Sequence, residues 1–458
     1  MRWDYLYYYY NKYRSNGLRR LVDNGFSFEN TLINYVPTVT AIGHSSIYTG
    51  SVPALTGIAG NNFYMNGKSV YCCDDSTVTS VGSNSKEGMM SPRNLWATGI
   101  GDVLKIATDY RSKVIGIALK DRAAILPAGH AADAAYWWDQ STGHFITSTY
   151  YMKQLPEWVV RTNKLVQEKP GTNVKTSVPG VTKTFQLAEA AVENEQLGKD
   201  SITDLLAVSV SSTDAIGHTY GTRGKENYDV FMELDRQVAD FLDFLDKKVG
   251  KGNYLLFLSA DHGGAHNHNL MTEHKIPGGG LNLYKNLKPI EIELEKELGF
   301  APVIKAENAG RIYLNQEGIA KSSKTLAEVK KAVCKKLQEN ENILYAVDYE
   351  NVLTTSIPQP IREMIVNGYN KKRSGDIYYV PKAGWENVDD APTYKGTTHA
   401  EWNPYDAHIP FILYGWNVKH GQTSAQAHIT DIAPTICAMM HIQMPNSCVG
   451  TSLSDYLK

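Results

Sequence analysis

Apolar and polar positions along the chain fall into two alternating rhythms. Short apolar runs, KVIGIAL at 113–119, LLAVSVSS at 205–212, YLLFLSA at 254–260 and IPFILYG at 409–415, each abut a polar or glycine-containing loop. Strands buried on both faces of a parallel sheet read this way. Between the second and third runs, Phe231, Leu234, Val238, Phe241, Leu242 and Leu245 recur at helical spacing and Gly250 supplies a stop, which predicts one strand–helix–strand crossover. The alternation as a whole predicts an α/β protein with helices on both faces of its sheet.

Two stretches interrupt it. Within 131–200, AAYWWDQSTGHFITSTYY carries two aromatic segments about a Ser-Thr-Gly turn and predicts a hairpin inserted near the mouth of the sheet. Its Tyr136, Trp137 and Trp138 are candidates for shaping the leaving-group side of a site there. Residues 300–395 read strand (GRIYLN), helix (TLAEVKKAVCKKLQ, opened by a Thr325 to Glu328 capping box), strand (ILYAVDY), helix (IREMIVNGYN), strand (DIYYV), a small α+β subdomain. The core then comprises 1–130, 201–299 and 396–458.

Composition adds mainly exclusions. With 46 Lys+Arg against 48 Asp+Glu and a net charge of -2 over 458 residues, nothing draws the chain electrostatically to nucleic acid or an anionic membrane. The one basic cluster, NKKRSGD at 370–376, contains a Ser-Gly turn and predicts a solvated hairpin end. No apolar run approaches the roughly 20 residues that span a bilayer. The start, MRWDYLYYYYNKY, is an aromatic segment of helical spacing without the pattern of a secretory leader. Five cysteines form no metal-binding spacing, which leaves the redox compartment and any pairing open.

Candidate chemistry sits beyond the carboxyl ends of the strands, where open α/β sheets bind ligands. After LLAVSVSS comes TDAIGHTYG, with Asp214 and His218 four apart; after YLLFLSA comes DHGG, with Asp261 and His262 adjacent; before IPFILYG stands His408. One Asp-His pair at a strand end is ordinarily a loop cap, but two at successive strand ends point to a metal. Two Asp, three His and no Cys suit zinc in O/N coordination. His266 and His268 of HNHN read as loop residues.

In VPTVTAIGHSSIYTG, Thr40 falls at a helix start, where free N–H groups favour an anion and a nucleophile is well placed, although a threonine there is usually only a cap. Thr38 is a rival, directly behind Pro37. If the strand of KVIGIAL runs on, Lys120 and Arg122 point to one face and suit a dianionic phosphate. Asn61, after PALTGIAGN, offers an amide to a phosphoryl oxygen.

TVTAIGHSSIYTGSVPALTGIAGN, LKDRAAILPAGH, SSTDAIGHTYG, SADHGG and YDAHIPFILYG, in this order, resemble the alkaline phosphatase superfamily in its type I phosphodiesterase/nucleotide pyrophosphatase branch, and most of all the bacterial threonine-nucleophile alkaline phosphatases. The resemblance implies a three-layer α/β/α sandwich with inserted cap elements and a periplasmic location. It implies Thr40 as nucleophile, Asn61, Lys120 and Arg122 on the phosphate, one zinc on Asp214, His218 and His408, and a second on Asp261 and His262. Phosphate monoesters are the implied substrates, the cation pair setting them apart from diesters. In the family the second zinc takes a further Asp at the end of a first apolar strand, two positions ahead of the residue matching Met1. That strand and ligand are not in this sequence, and Asp4, a turn into the following helix, reads as a surface residue.

Overall fold

A computed structural model describes residues 1–65 and 67–457. Its principal strands are, in chain order, Phe26–Leu32 (β1), Val114–Ala118 (β2), Ala134–Asp139 (β3), His144–Ser148 (β4), Leu205–Ser209 (β5), Leu255–Ser259 (β6), Phe411–Gly415 (β7) and Gly421–His428 (β8). Four helices matter to the site: Thr40–Thr49 (α1), Asp121–Ala128 (α2), Ser212–Tyr220 (α3) and Lys225–Leu245 (α4).

The strands form two five-stranded sheets. In one, β1 pairs parallel with β8 and antiparallel with β7 and with His408–Ile409, and β7 pairs antiparallel with β6. In the other, β2 lies parallel between β5 and β3, β3 pairs antiparallel with β4, and β4 with Ser80–Val81. Within the second sheet β2 and β3 are buried throughout, as strands covered on both faces are.

The crossover expected between β5 and β6 exists through α4, but the two strands are edges of different sheets. A cavity of about 1010 Å³ lies between them, walled along its length by β5 and β6, by Leu234 and Phe241 of α4, and at one end by Thr40, Lys120, Asp214 and Asp261. Lacking a partner on this side, β5 and β6 stay only partly buried despite their apolar sequence.

The aromatic segment at 134–148 is a hairpin about Ser141, Thr142 and Gly143, but its first strand belongs to the main sheet. Tyr136, Trp137 and Trp138 are therefore buried between layers and face no leaving group. Within 300–395 a four-stranded sheet runs Ile304–Asn308, Arg311–Leu314, Ile377–Pro381, Ile343–Asp348, with the Thr325 capping box in place. Helix Leu283–Leu298 packs Leu294 and Leu298 into the same hydrophobic cluster as this sheet.

The start of the chain is a short helix, Tyr5–Tyr8, and a turn that bury Tyr5, Tyr9 and Tyr13 against Phe231 of α4. Asp4 is engaged by Arg2 at 2.8 Å. NKKRSGD is solvated at Lys371 and Lys372 but not at Arg373. Arg373 is buried, its guanidinium 4.0 Å from the Trp96 ring centre and 4.7 Å from that of Phe63. With no acidic partner, burial lowers its pKa to about 10. All five cysteines are free.

Candidate active site

Thr40 is the first residue of α1, following Val39 in extended conformation, and its hydroxyl is buried 3.4 Å from His262 Nε2. The rival Thr38 is occupied, donating its hydroxyl to the Glu401 carbonyl at 2.9 Å. The Ala41 N–H donates to Asn61 Oδ1 at 2.9 Å, which fixes the Asn61 carboxamide beside the free helix end and leaves its NH2 to donate elsewhere. α1 lies directly on the Asp261 backbone: a Cβ on Gly43 would stand 2.2 Å from the Asp261 carbonyl oxygen. Only glycine permits that approach.

Asp214 and His218 occupy successive turns of α3, with His218 Nε2 3.4 Å from Asp214 Oδ1. The third member is His399, whose Nε2 lies 3.7 Å from the same oxygen; ligand atoms of Asp214, His218 and His399 all lie within 4.8 Å of one another. Asp261 and His262 adjoin this trio. His262 Nε2 is 3.3 Å from Asp261 Oδ2, and the His262 and His399 rings stack with centres 3.4 Å apart. His408 stands apart. It opens the short strand beside β1, donates Nε2–H to the Glu29 carbonyl at 2.8 Å, and stacks on Trp3 at 4.6 Å, so the expected place of His408 falls to His399.

Each clustered imidazole is held from behind. Nδ1 of His218 reaches the Thr397 carbonyl at 2.9 Å, Nδ1 of His399 the Thr38 carbonyl at 2.6 Å, and Nδ1 of His262 the Gly263 carbonyl at 2.9 Å. A carbonyl only accepts, so Nδ1 carries the proton and each Nε2 turns a lone pair inward. Burial would raise the Asp214 carboxyl, but Lys120, His218 and His262 outweigh it and hold it well below the usual range. Asp261 is held down likewise, burial being outweighed by His262 and His44. Burial lowers His262, and burial with the neighbouring His262 lowers His399 further. His218 goes the other way, the Asp214 charge prevailing over burial. The group thus offers anionic carboxylates and inward lone pairs, the donor set of a hard-to-borderline cation. The Met1 backbone nitrogen reaches the same region, 2.8 Å from the His262 carbonyl oxygen.

The cations are placed by a helix start, not by a continuing strand. The β2 strand ends at Ala118, Lys120 precedes α2, and Arg122 lies in its first turn. Lys120 Nζ contacts Asp214 Oδ2 at 2.5 Å, while Arg122 Nη1 donates to the Tyr71 hydroxyl at 3.0 Å. The buried Arg122 Nε has no hydrogen-bond partner among the described residues.

Besides His399, the sequence pattern did not reveal His44 and Arg311. His44 Nδ1 lies 3.3 Å from Asp261 Oδ2 and 2.9 Å from the Thr40 carbonyl; its position one helical turn after Thr40 was the available signal. Arg311, fully buried in the subdomain sheet, donates to the Ala59 carbonyl and, at 3.1 Å, to the Asn62 carbonyl. Together with Arg373, which donates to the Gly57 carbonyl at 2.5 Å, it clamps both sides of the loop that carries Asn61. His266 and His268 remain outside the cluster, His266 on Thr222 and His268 stacked on Tyr394.

The sequence profile of the type I phosphodiesterase/nucleotide pyrophosphatase family matches residues 1–406. The chain belongs to that family. It is 42% identical to alkaline phosphatase PafA of Elizabethkingia meningoseptica, over 100% of this chain and 92% of that protein. It is 44% identical, over 100% and 93%, to a Myroides odoratus protein named calcium-transporting ATPase. The solved structure of wild-type PafA matches with TM-score 0.95 at 42% identity, over 99% of this chain and 96% of that one. Murine ectonucleotide pyrophosphatase/phosphodiesterase 5, at 16% identity and TM-score 0.56 over 97% and 93%, shares the fold.

Proposed function

We propose that this chain is a zinc-dependent phosphate monoester hydrolase that works through a phosphothreonine at Thr40. The observation that carries the reading is the convergence of a buried threonine at a helix start, the Asp214–His218–His399 trio and the adjoining Asp261–His262 pair, with Thr40, Lys120, Asp214 and Asp261 lining one cavity. A solved form of PafA carries substitutions at a threonine, an asparagine, a lysine and an arginine, the residue types that stand here at 40, 61, 120 and 122. Among the described residues no helix is long and apolar enough to cross a membrane.

Asp214, His218 and His399 would hold one zinc, and Asp261 and His262 part of the shell of a second. Zinc there supplies a lowered hydroxyl pKa and charge neutralisation for phosphoryl and leaving-group oxygens. The Thr40 hydroxyl loses its proton to solvent and its oxygen attacks phosphorus. The Thr40 Oγ–P bond forms as the bond from phosphorus to the leaving alcohol breaks, and that alcohol takes a proton from water. Water then attacks the phosphothreonine, releasing inorganic phosphate and regenerating Thr40. The helix start, the Asn61 NH2, Lys120 and Arg122 face the non-bridging oxygens, where positioning and charge carry most of the rate.

Purified protein with added zinc, assayed on an aryl phosphate and an aryl phosphodiester, tests this. The monoester is the better substrate, and Lys120→Ala with Arg122→Ala removes most of that preference. Each charge-assisted contact is worth about 1.5–3 kcal/mol, or roughly 10- to 150-fold per residue. A strong preference for the diester overturns the assignment in favour of a nucleotide pyrophosphatase/phosphodiesterase.

A further inference from the structure

Arg122 does not orient itself. Its Nη1 donates to the Tyr71 hydroxyl at 3.0 Å, and that hydroxyl donates onward to Asp121 Oδ1 at 2.7 Å, whereas the guanidinium and this carboxylate are 3.9 Å apart. The phenol is a relay between neighbouring side chains of α2 that do not hydrogen-bond each other. Burial and the adjacent Asp121 carboxylate raise its pKa far above the ordinary phenol value, so it keeps the proton it gives to Asp121. With Nη1 engaged by Tyr71, the buried Nε of Arg122 has no hydrogen-bond partner among the described residues.

Tyr71 also has a fixed relation to Asn61. It pairs with Asn62 in the register of hairpin Asn62–Met65 and Lys68–Tyr71, and the next residue, Cys72, donates its N–H to the Asn61 carbonyl at 3.0 Å. Asn61 in turn is tied to α1 through Ala41, next to Thr40. One end of this hairpin therefore holds both the amide beside the threonine and the hydroxyl that aims the arginine.

Resting on the monoesterase reading above, we propose that Tyr71 is a positioning residue for monoester specificity. Through the Asp121–Tyr71–Arg122 relay and the hairpin register it sets the arginine fork at a fixed offset from Asn61 and Thr40, so that both address one phosphate dianion. It touches no reacting atom and acts through Arg122.

The test is Tyr71→Phe, which keeps the ring in the hairpin and removes only the hydroxyl, made in the native and Arg122→Ala backgrounds. kcat/KM is measured for an aryl phosphate and an aryl phosphodiester, with inhibition by inorganic phosphate as a binding readout. Tyr71→Phe lowers monoester kcat/KM by about 10-fold, the scale of a hydrogen bond to a charged group, and weakens phosphate inhibition in parallel. It leaves diester turnover within about twofold, and adds nothing further once Arg122 is alanine, as expected for residues acting as a unit. Equal losses on both substrates, a full additional loss in the Arg122→Ala background, or no loss on the monoester overturns the proposal. If Arg122→Ala itself leaves monoester turnover intact, the phosphate role of Arg122 fails first and the relay falls with it.

Discussion

The sharpest disagreement between chain pattern and structure is which histidine completes the trio, and two substitutions decide it. In His399→Ala the group around Asp214 loses one of three inward-facing donors. Altering even an outer partner of a metal ligand costs 10- to 100-fold in metal affinity, so loss of the ligand itself costs at least about 100-fold. With zinc at 100 times the native dissociation constant, native protein gains about 2.7 kcal/mol from the metal, whereas a variant bound 100-fold more weakly gains only about 0.4 kcal/mol. His408→Ala loses a hydrogen bond to the Glu29 carbonyl and a stack on Trp3, about 1 kcal/mol each, and no donor to the cluster. Thermal unfolding with and without zinc, alongside chelator competition, separates the two. His408→Ala melts lower by a similar margin with or without metal, while His399→Ala loses most of the zinc-dependent increment. A His399→Ala protein that keeps the increment while His408→Ala loses it refutes the placement of His399 and restores the expectation from sequence.

Two further outcomes follow from packing and burial. Gly43→Ala drives a methyl to 2.2 Å from the Asp261 carbonyl, an overpacking cost of about 1–3 kcal/mol that also pushes α1 and Thr40 away from Asp261; a lower melting point with lost turnover is expected, and unchanged activity would show that α1 adapts freely. Asp406, fully buried, accepts from the Ala400 and Glu401 N–H groups at 3.0 and 2.9 Å, and burial outweighs these bonds to raise its pKa from 3.8 to about 7. Because the folded form holds this proton more tightly, stability is fully present below about pH 4 and is lost as pH rises through about 7. At about 1.4 kcal/mol per pH unit the loss is at most about 4 kcal/mol. Asp406→Asn should match native stability near pH 4 and exceed it increasingly up to about pH 7 in denaturant titrations; a difference independent of pH counts against the buried carboxyl.

Much of the architecture was legible because it is local. The runs at 113–119, 205–212, 254–260 and 409–415 became strands, the capping box at Thr325 opened its helix, and Asp214 with His218 met on consecutive turns. What misled were inferences about surroundings. The apolar rhythm of β5 and β6 suggested neighbours, yet the strands face each other across a cavity. The charges of NKKRSGD suggested solvent, but Arg373 stacks over Trp96 and Phe63, far away in sequence, where a guanidinium can be buried by stacking and by carbonyl acceptors. Lys120 and Arg122 were expected to share a strand face and instead flank the start of α2, where a relay through Tyr71 does the aiming.

His399 shows why the last part of a site resists such a reading. His399 and His408 lie nine positions apart, both near the strand that leads out of the site, and residue type cannot rank them. The structure distinguishes them by what stands behind each ring: the carbonyl of Thr38 turns His399 Nε2 inward, while the carbonyl of Glu29 consumes Nε2 of His408. Backbone carbonyls are the same at every residue and leave no mark in a sequence, and these two come from segments more than 350 positions away, with separations of 361 and 379. The same holds for Arg311, whose acceptors on either side of Asn61 are main-chain oxygens about 250 positions distant, with separations of 252 and 249. A sequence therefore discloses the side chains able to do the chemistry, while the choice among equivalent candidates passes to main-chain acceptors that only the fold brings near.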